Sequence, residues 1–160
     1  MFSRIFPKVI DNVHRGHWLA ILFLIPLALS KVTIGANSMI NTRLVATSAD
    51  GIPLDSYGAA GAQAVIALFA LWGLCTFLIG LQCVIALLRY RAMIPLMYLL
   101  LLLEQAGRKA LFTVNALPTP DAPTVGAAGV SLGFLVNLTL LMAMLIGFAL
   151  SLYKKPDQTT

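Results

Sequence analysis

Four long apolar stretches, separated by short polar segments, dominate the pattern of hydrophobic and polar residues along the chain. They cover about residues 18–41, 58–88, 93–115 and 127–152. A bilayer core of about 30 Å is crossed by roughly 20 helical residues, so each stretch is long enough to span it. The pattern predicts an all-α membrane protein, a four-transmembrane-helix bundle that forms a single membrane domain over residues 1–160.

The segments around these spans carry further local predictions. A short interfacial amphipathic segment, residues 1–16, precedes the first span; apolar side chains at helical spacing favour a helix over residues 2–13, interrupted near Pro7. Asp55 or Ser56 is expected to cap the second helix. The apolar side chains of the N-terminal segment are Phe2, Phe6, Val9 and Val13.

The same pattern predicts the conformation of two connections and the packing role of one helix face. The link between the second and third spans, residues 89–92, is so short that these helices are expected to be antiparallel neighbours. Residues 117–129 contain three prolines and two glycines and are expected to be extended and flexible. Small residues recur along the second span and predict a packing face, either within the chain or toward another subunit. They are Gly58, Ala62, Ala70, Gly73 and Gly80.

Composition supports the assignment to membrane proteins and limits the classes of molecule that the chain is expected to bind. The chain is 59% hydrophobic and 11% charged, with a mean hydropathy of +0.90, whereas about a quarter of residues are charged in soluble domains. The net charge of +5 does not indicate a nucleic-acid partner, because the basic residues are scattered at the ends of apolar runs. Cys75 and Cys83 lie about 12 Å apart along one helix and are expected to stay unbridged.

The distribution of lysine and arginine predicts the orientation. With a cytoplasmic N-terminus, every inner segment is basic and the first outer loop holds only Arg43. The exception is the pair Arg108 and Lys109 at the outer end of the third span. We therefore expect a multi-pass protein of a bacterial inner membrane with both termini cytoplasmic. The alternative is a signal peptide cleaved near residues 28–30, which the apolar character resuming after Lys31 opposes.

One group of charged residues lies inside the predicted spans. Counted along their helices, Lys31 and Glu104 are about 20 and 17 Å from the inner face, so two helices running in the same direction bring them to similar depth. Arg108 shares the face of Glu104 four residues on, and Lys109 follows it. An unpaired charge in a span costs about 2.5–3.5 kcal/mol or more, so Glu104 is expected to face the bundle interior.

This cluster has two interpretations. It is either a buried ion pair that fixes the register of two helices, or an outward-facing polar pocket lined by Lys31, Glu104, Arg108 and Lys109. Such a pocket has three cations to one carboxylate and favours an anionic or lipid-like ligand. A variant of the second interpretation makes Glu104 a proton carrier in a transport cycle.

No pattern indicates a cofactor or a metal ion. His14 and His17 share a helix face, but two histidines at one end of one segment cannot clasp a haem, and anchoring at the interface is favoured over metal binding. The motifs of phosphate loops, zinc proteases and serine hydrolases are absent. Asn137-Leu138-Thr139 matches a glycosylation acceptor, but its position within a span removes that meaning.

The sequence favours a non-catalytic accessory or assembly subunit of an inner-membrane complex, which acts through its helix faces on a membrane protein partner or on copies of itself, among membrane lipids. The first alternative is a small transporter or binding protein for an anionic or lipid-like ligand, built on the charged cluster. The second is an enzyme for a membrane-dissolved substrate with Glu104 as acid or base. Size and layout resemble those of small multidrug exporters and DoxX-like proteins, with no shared motif.

Overall fold

The computed structural model describes residues 2–48, 51–114, 124–125 and 130–153, and most of them are helical. Single 3-10 turns at Leu54–Ser56 and Arg91–Met93 precede α4 and α5. One antiparallel pair of two-residue strands, β1 (Thr124–Val125) and β2 (Val130–Ser131), lies between α5 and α6. The helices are α1 (Phe2–Ile5), α2 (Leu19–Ile40), α3 (Thr42–Ser48), α4 (Ala59–Arg89), α5 (Ile94–Val114) and α6 (Leu132–Leu152).

Three of the described helices are long and apolar enough to cross a membrane, which indicates a membrane protein. They are α2, α4 and the part of α6 from Leu135 to Leu152. The third predicted span exists as the helix α5, with Pro95 in its first turn, where a missing N–H costs nothing. Its second half carries Glu104, Arg108 and Lys109, so composition alone does not qualify it as a span. The four-span bundle stays a prediction.

The core forms where α2 meets α4 and α6, with α5 packed against α6 and α4. Tyr98 of α5 is fully buried there, and its hydroxyl donates a hydrogen bond to the Ala20 carbonyl of α2 at 2.7 Å. A Cβ atom built on Gly147 of α6 would lie 2.3 Å from the Tyr98 ring. Only glycine leaves room for this ring, and the phenol therefore joins three helices at one point.

Two small residues of the second span, Gly73 and Gly80, pack within the chain against α2. A Cβ atom on Gly80 of α4 would lie 2.7 Å from the Val32 backbone nitrogen of α2, and one on Gly73 would lie 2.8 Å from Ser38 Cβ. Gly35 of α2 approaches α4 as closely. Close backbone approach of this kind is what associates helices in lipid. At the other end of α4, Gly58 has nothing within 4 Å.

Several local predictions were wrong. The interruption expected near Pro7 is present, but the helix does not resume after it: α1 ends at Ile5, since Pro7 has no N–H to donate and restricts the residue before it. Gly58 precedes α4 with no side-chain cap, since Asp55 pairs with Arg43. The extra helix α3 was not foreseen. Most of the flexible connection predicted over residues 117–129 lies outside the described residues, as do Lys154 and Lys155.

Candidate functional site

The structure brings Lys31 of α2 and Glu104 of α5 into contact. Lys31 Nζ donates a hydrogen bond to Glu104 Oε2, and the two side chains form a salt bridge. The lysine side chain is 4% exposed and that of the glutamate 18% exposed. Both residues sit on helices that run in the same direction, and their matched depth follows from the count of residues along each helix. The pair ties α2 to α5 where these helices otherwise touch little.

The second carboxylate oxygen of Glu104 is left unsatisfied. Oε1 is buried, and no group in the described part of the chain hydrogen-bonds to it. A buried acceptor without a donor costs about 1–3 kcal/mol, and more when it is charged. Such an atom marks a place where a water molecule or a ligand donor would be stabilised.

Arg108 forms no salt bridge with Glu104, although the two residues lie four positions apart on one helix face. Arg108 Nη2 donates to Gln105 Oε1 at 2.9 Å and to Asn137 Oδ1 of α6 at 2.5 Å. The guanidinium lies 5.6 Å from the centre of the Trp72 ring of α4, a cation–π distance. Two neighbouring helices, α6 with an amide acceptor and α4 with an aromatic ring, thus hold the Arg108 guanidinium away from Glu104.

The amides of Gln105 and Asn137 complete this arrangement. Gln105 is 5% exposed, and its Nε2 donates to Asn137 Oδ1 at 2.8 Å. The polar groups therefore form a continuous set from α5 to α6 beside the Lys31–Glu104 pair. Lys109, the last residue of the predicted site, is exposed and one position further around the helix than Arg108.

The charges of Lys31 and Arg108 are compensated differently. Lys31 and Glu104 neutralise each other, whereas Arg108 forms no salt bridge with any carboxylate in the described ranges. Both of its hydrogen bonds to side chains use Nη2, which leaves Nη1 and Nε as donors. A half-buried guanidinium with neutral neighbours can accept an anion without displacing a native ion-pair partner.

Sequence reasoning missed Trp72 and Asn137 as members of the site. Asn137 was considered only as a glycosylation acceptor. The available signal was energetic, because an amide in the middle of a span is expensive unless it finds a partner on a neighbouring helix. Trp72 carried no comparable signal, since a tryptophan in an apolar run is as compatible with lipid contact.

The two histidines hydrogen-bond within the N-terminal segment. His14 Nε2 hydrogen-bonds to the His17 carbonyl at 3.0 Å, and His17 Nδ1 accepts from the Leu19 backbone N–H. Within the described residues no three His, Cys, Asp or Glu side chains are grouped as metal ligands. Cys75 is exposed, Cys83 is buried, and both are free thiols.

Comparison with known proteins returned no relative: no family model, no curated protein and no solved structure matches the chain. The functional argument therefore rests on the geometry of the site.

Proposed function

We propose that this chain is a non-catalytic membrane protein that binds an anionic, lipid-like ligand at Arg108. The single observation that carries the proposal is the absence of a counter-charge for this arginine among the described residues. A charge within a membrane span costs about 2.5–3.5 kcal/mol on insertion scales, and an anion held against the guanidinium offsets that cost.

The depth of Arg108 fits a lipid headgroup. Arg108 lies 14 residues after Ile94, or about 21 Å along α5, which brings it about 9 Å below the far side of a 30 Å hydrocarbon core if α5 crosses the membrane. Its side chain is long enough to reach the level of the headgroups. Each bidentate edge of a guanidinium includes Nη2, which is engaged by Gln105 and Asn137, so Nη1 and Nε each remain available as a single N–H donor to an oxygen of the anion.

Within this proposal the Lys31–Glu104 pair is structural. It fixes the position of α5 against α2 and so holds the turn that carries Gln105 and Arg108. The proton-carrier and enzyme alternatives receive no comparable support, since the described residues place no second acidic or basic catalytic side chain beside Glu104 apart from its ion-pair partner Lys31.

The proposal is tested by lipid quenching of Trp72. The chain has two tryptophans, so a Trp18→Phe variant leaves Trp72, beside Arg108, as the sole tryptophan. We expect phosphatidylglycerol with brominated acyl chains to quench Trp72 more strongly than the equivalent phosphatidylcholine. Arg108→Gln should abolish that preference. The matched control is Arg43→Gln, which removes the same charge from an exposed pair outside the spans.

Equal quenching by the two lipids, or an unchanged preference in Arg108→Gln, would refute the proposal. Loss of the preference in the Arg43→Gln control would attribute it to net charge and refute it equally.

The accessory or assembly subunit is the second candidate, and one observation favours it. The small residues at the start of α4 are uncovered: Gly58 has no neighbour within 4 Å, and Gly61 meets only Tyr57 of its own segment. Against it, the remainder of the small-residue face is occupied by α2. Mild purification at native expression, followed by mass spectrometry, should then recover a partner that a Gly61→Leu variant loses. Recovery of the chain alone and monomeric would exclude this function.

Both candidates include the predicted location, a bacterial inner membrane with the two termini in the cytoplasm. The support for it is the basic N-terminal segment and the basic link between α4 and α5, which lie at the same end of the helices.

A further inference from the structure

A recess lies at the end of the bundle opposite Arg108, where the N-terminal segment folds under the helices. We call it the terminal recess. It is lined by residues from four parts of the chain, and its volume of about 30 Å³ admits about two water-sized groups. The polar and close-packed residues that line it are Arg4, His14, Arg15, Gly16, Arg91 and Ser151.

Long-range contacts hold the walls of the terminal recess. Arg4 Nη1 donates to the Leu152 carbonyl at the end of α6 at 3.0 Å, and the Ala92 N–H donates to the Asp11 carbonyl at 3.2 Å. A Cβ atom on Gly16 would lie 2.4 Å from the Ser151 carbonyl oxygen. The N-terminal segment is thus docked against the helix ends.

The charges around the terminal recess do not cancel. Arg15 is paired with Asp11. Arg4 and Arg91 donate only to backbone carbonyls, and neither forms a salt bridge with a described carboxylate. The end of α6 contributes the uncharged Ser151. Two guanidiniums with spare donors therefore border a space of limited size.

His14 lies in the wall of the terminal recess. Its Nε2 bonds to the His17 carbonyl, and because a carbonyl oxygen only accepts, Nε2 carries the proton. Its Nδ1 is buried, and the Arg91 backbone interacts with the protonated ring. His14 therefore reports on the charge in the recess, while the donors that border it are the two arginines.

We propose that the terminal recess binds one phosphate group, with Arg4 and Arg91 donating to its oxygens and the His14 ring beside them. The size of the space excludes a nucleotide base or a sugar, while two or three phosphate oxygens fit it. The phosphate belongs either to the headgroup of an anionic lipid or to inorganic phosphate. This site is separate from Arg108 and does not depend on the function proposed there.

Burial lowers the pKa of His14, and the Arg91 charge acts in the same direction. The charged groups around the ring are Arg4, Arg15 with Asp11, and Arg91, with His17 beside it. A bound phosphate adds negative charge to this surrounding and stabilises the protonated ring. Binding should therefore raise the pH at which His14 titrates.

The experiment follows the imidazole resonances of the full chain in detergent micelles by NMR as a function of pH. The chain has two histidines, and a His14→Asn variant assigns the signals. Two probes are titrated separately: inorganic phosphate and short-chain phosphatidylglycerol. We expect the titration midpoint of His14 to rise with at least one probe. A response to the lipid alone identifies a headgroup, and a response to both identifies the phosphate group itself.

Variants distinguish binding at defined residues from nonspecific electrostatic attraction. Arg4→Gln and Arg91→Gln should each weaken binding roughly tenfold, the loss typical of a hydrogen bond to a charged group. Arg4→Lys keeps the charge and the fold, and should lose less. The matched control Lys8→Gln removes the same charge from an exposed position of the same segment. The proposal is overturned if neither probe moves the His14 midpoint, or if Lys8→Gln weakens binding as much as Arg4→Gln.

Discussion

Removing one partner of the Lys31–Glu104 pair is the sharpest test of the packing. Breaking a buried ion pair costs about 3–5 kcal/mol, because the remaining charge stays buried without compensation. Glu104→Gln leaves Lys31, which is 4% exposed, whereas Lys31→Met leaves Glu104, which is 18% exposed. We therefore expect Glu104→Gln to fall at the upper end of that range and Lys31→Met at the lower end.

The double variant Lys31→Met/Glu104→Gln shows whether the two residues act as a pair. With both charges removed, no uncompensated ion is left, and the free energy of unfolding should recover to within about 1–2 kcal/mol of the parent. The free energies are measured by reversible SDS unfolding in mixed micelles, followed by helical circular dichroism. The exposed pair variant Arg43→Gln serves as a control and should change stability by less than about 1 kcal/mol.

Additive effects in this cycle would refute the reasoning. If the double variant loses as much as the two single variants together, the side chains do not compensate each other, and the contact between α2 and α5 has another origin.

Three further outcomes follow from the structure. Gly80→Leu should weaken the contact between α2 and α4 and lower stability by about 1–3 kcal/mol, whereas Gly58→Leu should not; SDS unfolding compares them. Because the pKa of folded His14 lies below its ordinary 6.5, the unfolded chain binds this proton more readily, so stability should fall as pH drops below about 6.5, and His14→Gln should remove that loss. In a cysteine-free background, Lys8→Cys should resist membrane-impermeant thiol labelling of intact cells while Asp55→Cys reacts; the reverse pattern would invert the topology.

The sequence predicted the bounds of the long helices best. The helices α2, α4 and α5 begin and end within a few residues of the predicted spans, because a bilayer requires about 20 apolar helical residues. The depth of a residue along its helix can also be counted from the sequence, and this count predicted a similar depth for Lys31 and Glu104. The direction in which a side chain points around the helix axis depends on its neighbours. For that reason, the partners of Arg108, Trp72 and Asn137, were not predicted.

The N-terminal segment shows a different limit. Its apolar spacing suited a helix to residue 13, but the backbone beyond Ile5 instead bonds to groups distant in sequence, such as the Leu150 carbonyl that accepts from the His17 N–H. Long-range hydrogen bonds of this kind compete with local helix formation, and they produce no periodic pattern of apolar residues in the sequence.

The glycine contacts between α2 and α4 divide the molecule into two mechanical parts. Backbones that touch at Gly35, Gly73 and Gly80 cannot slide past each other without steric collision, so these two helices should move as one rigid unit. The neighbouring helices α5 and α6 contact that unit less extensively, and two of the contacts are the hydrogen bonds made by the Tyr98 phenol and the Lys31 ammonium. A change in helix packing should therefore move α5 and α6 relative to the α2–α4 pair before it separates α2 from α4.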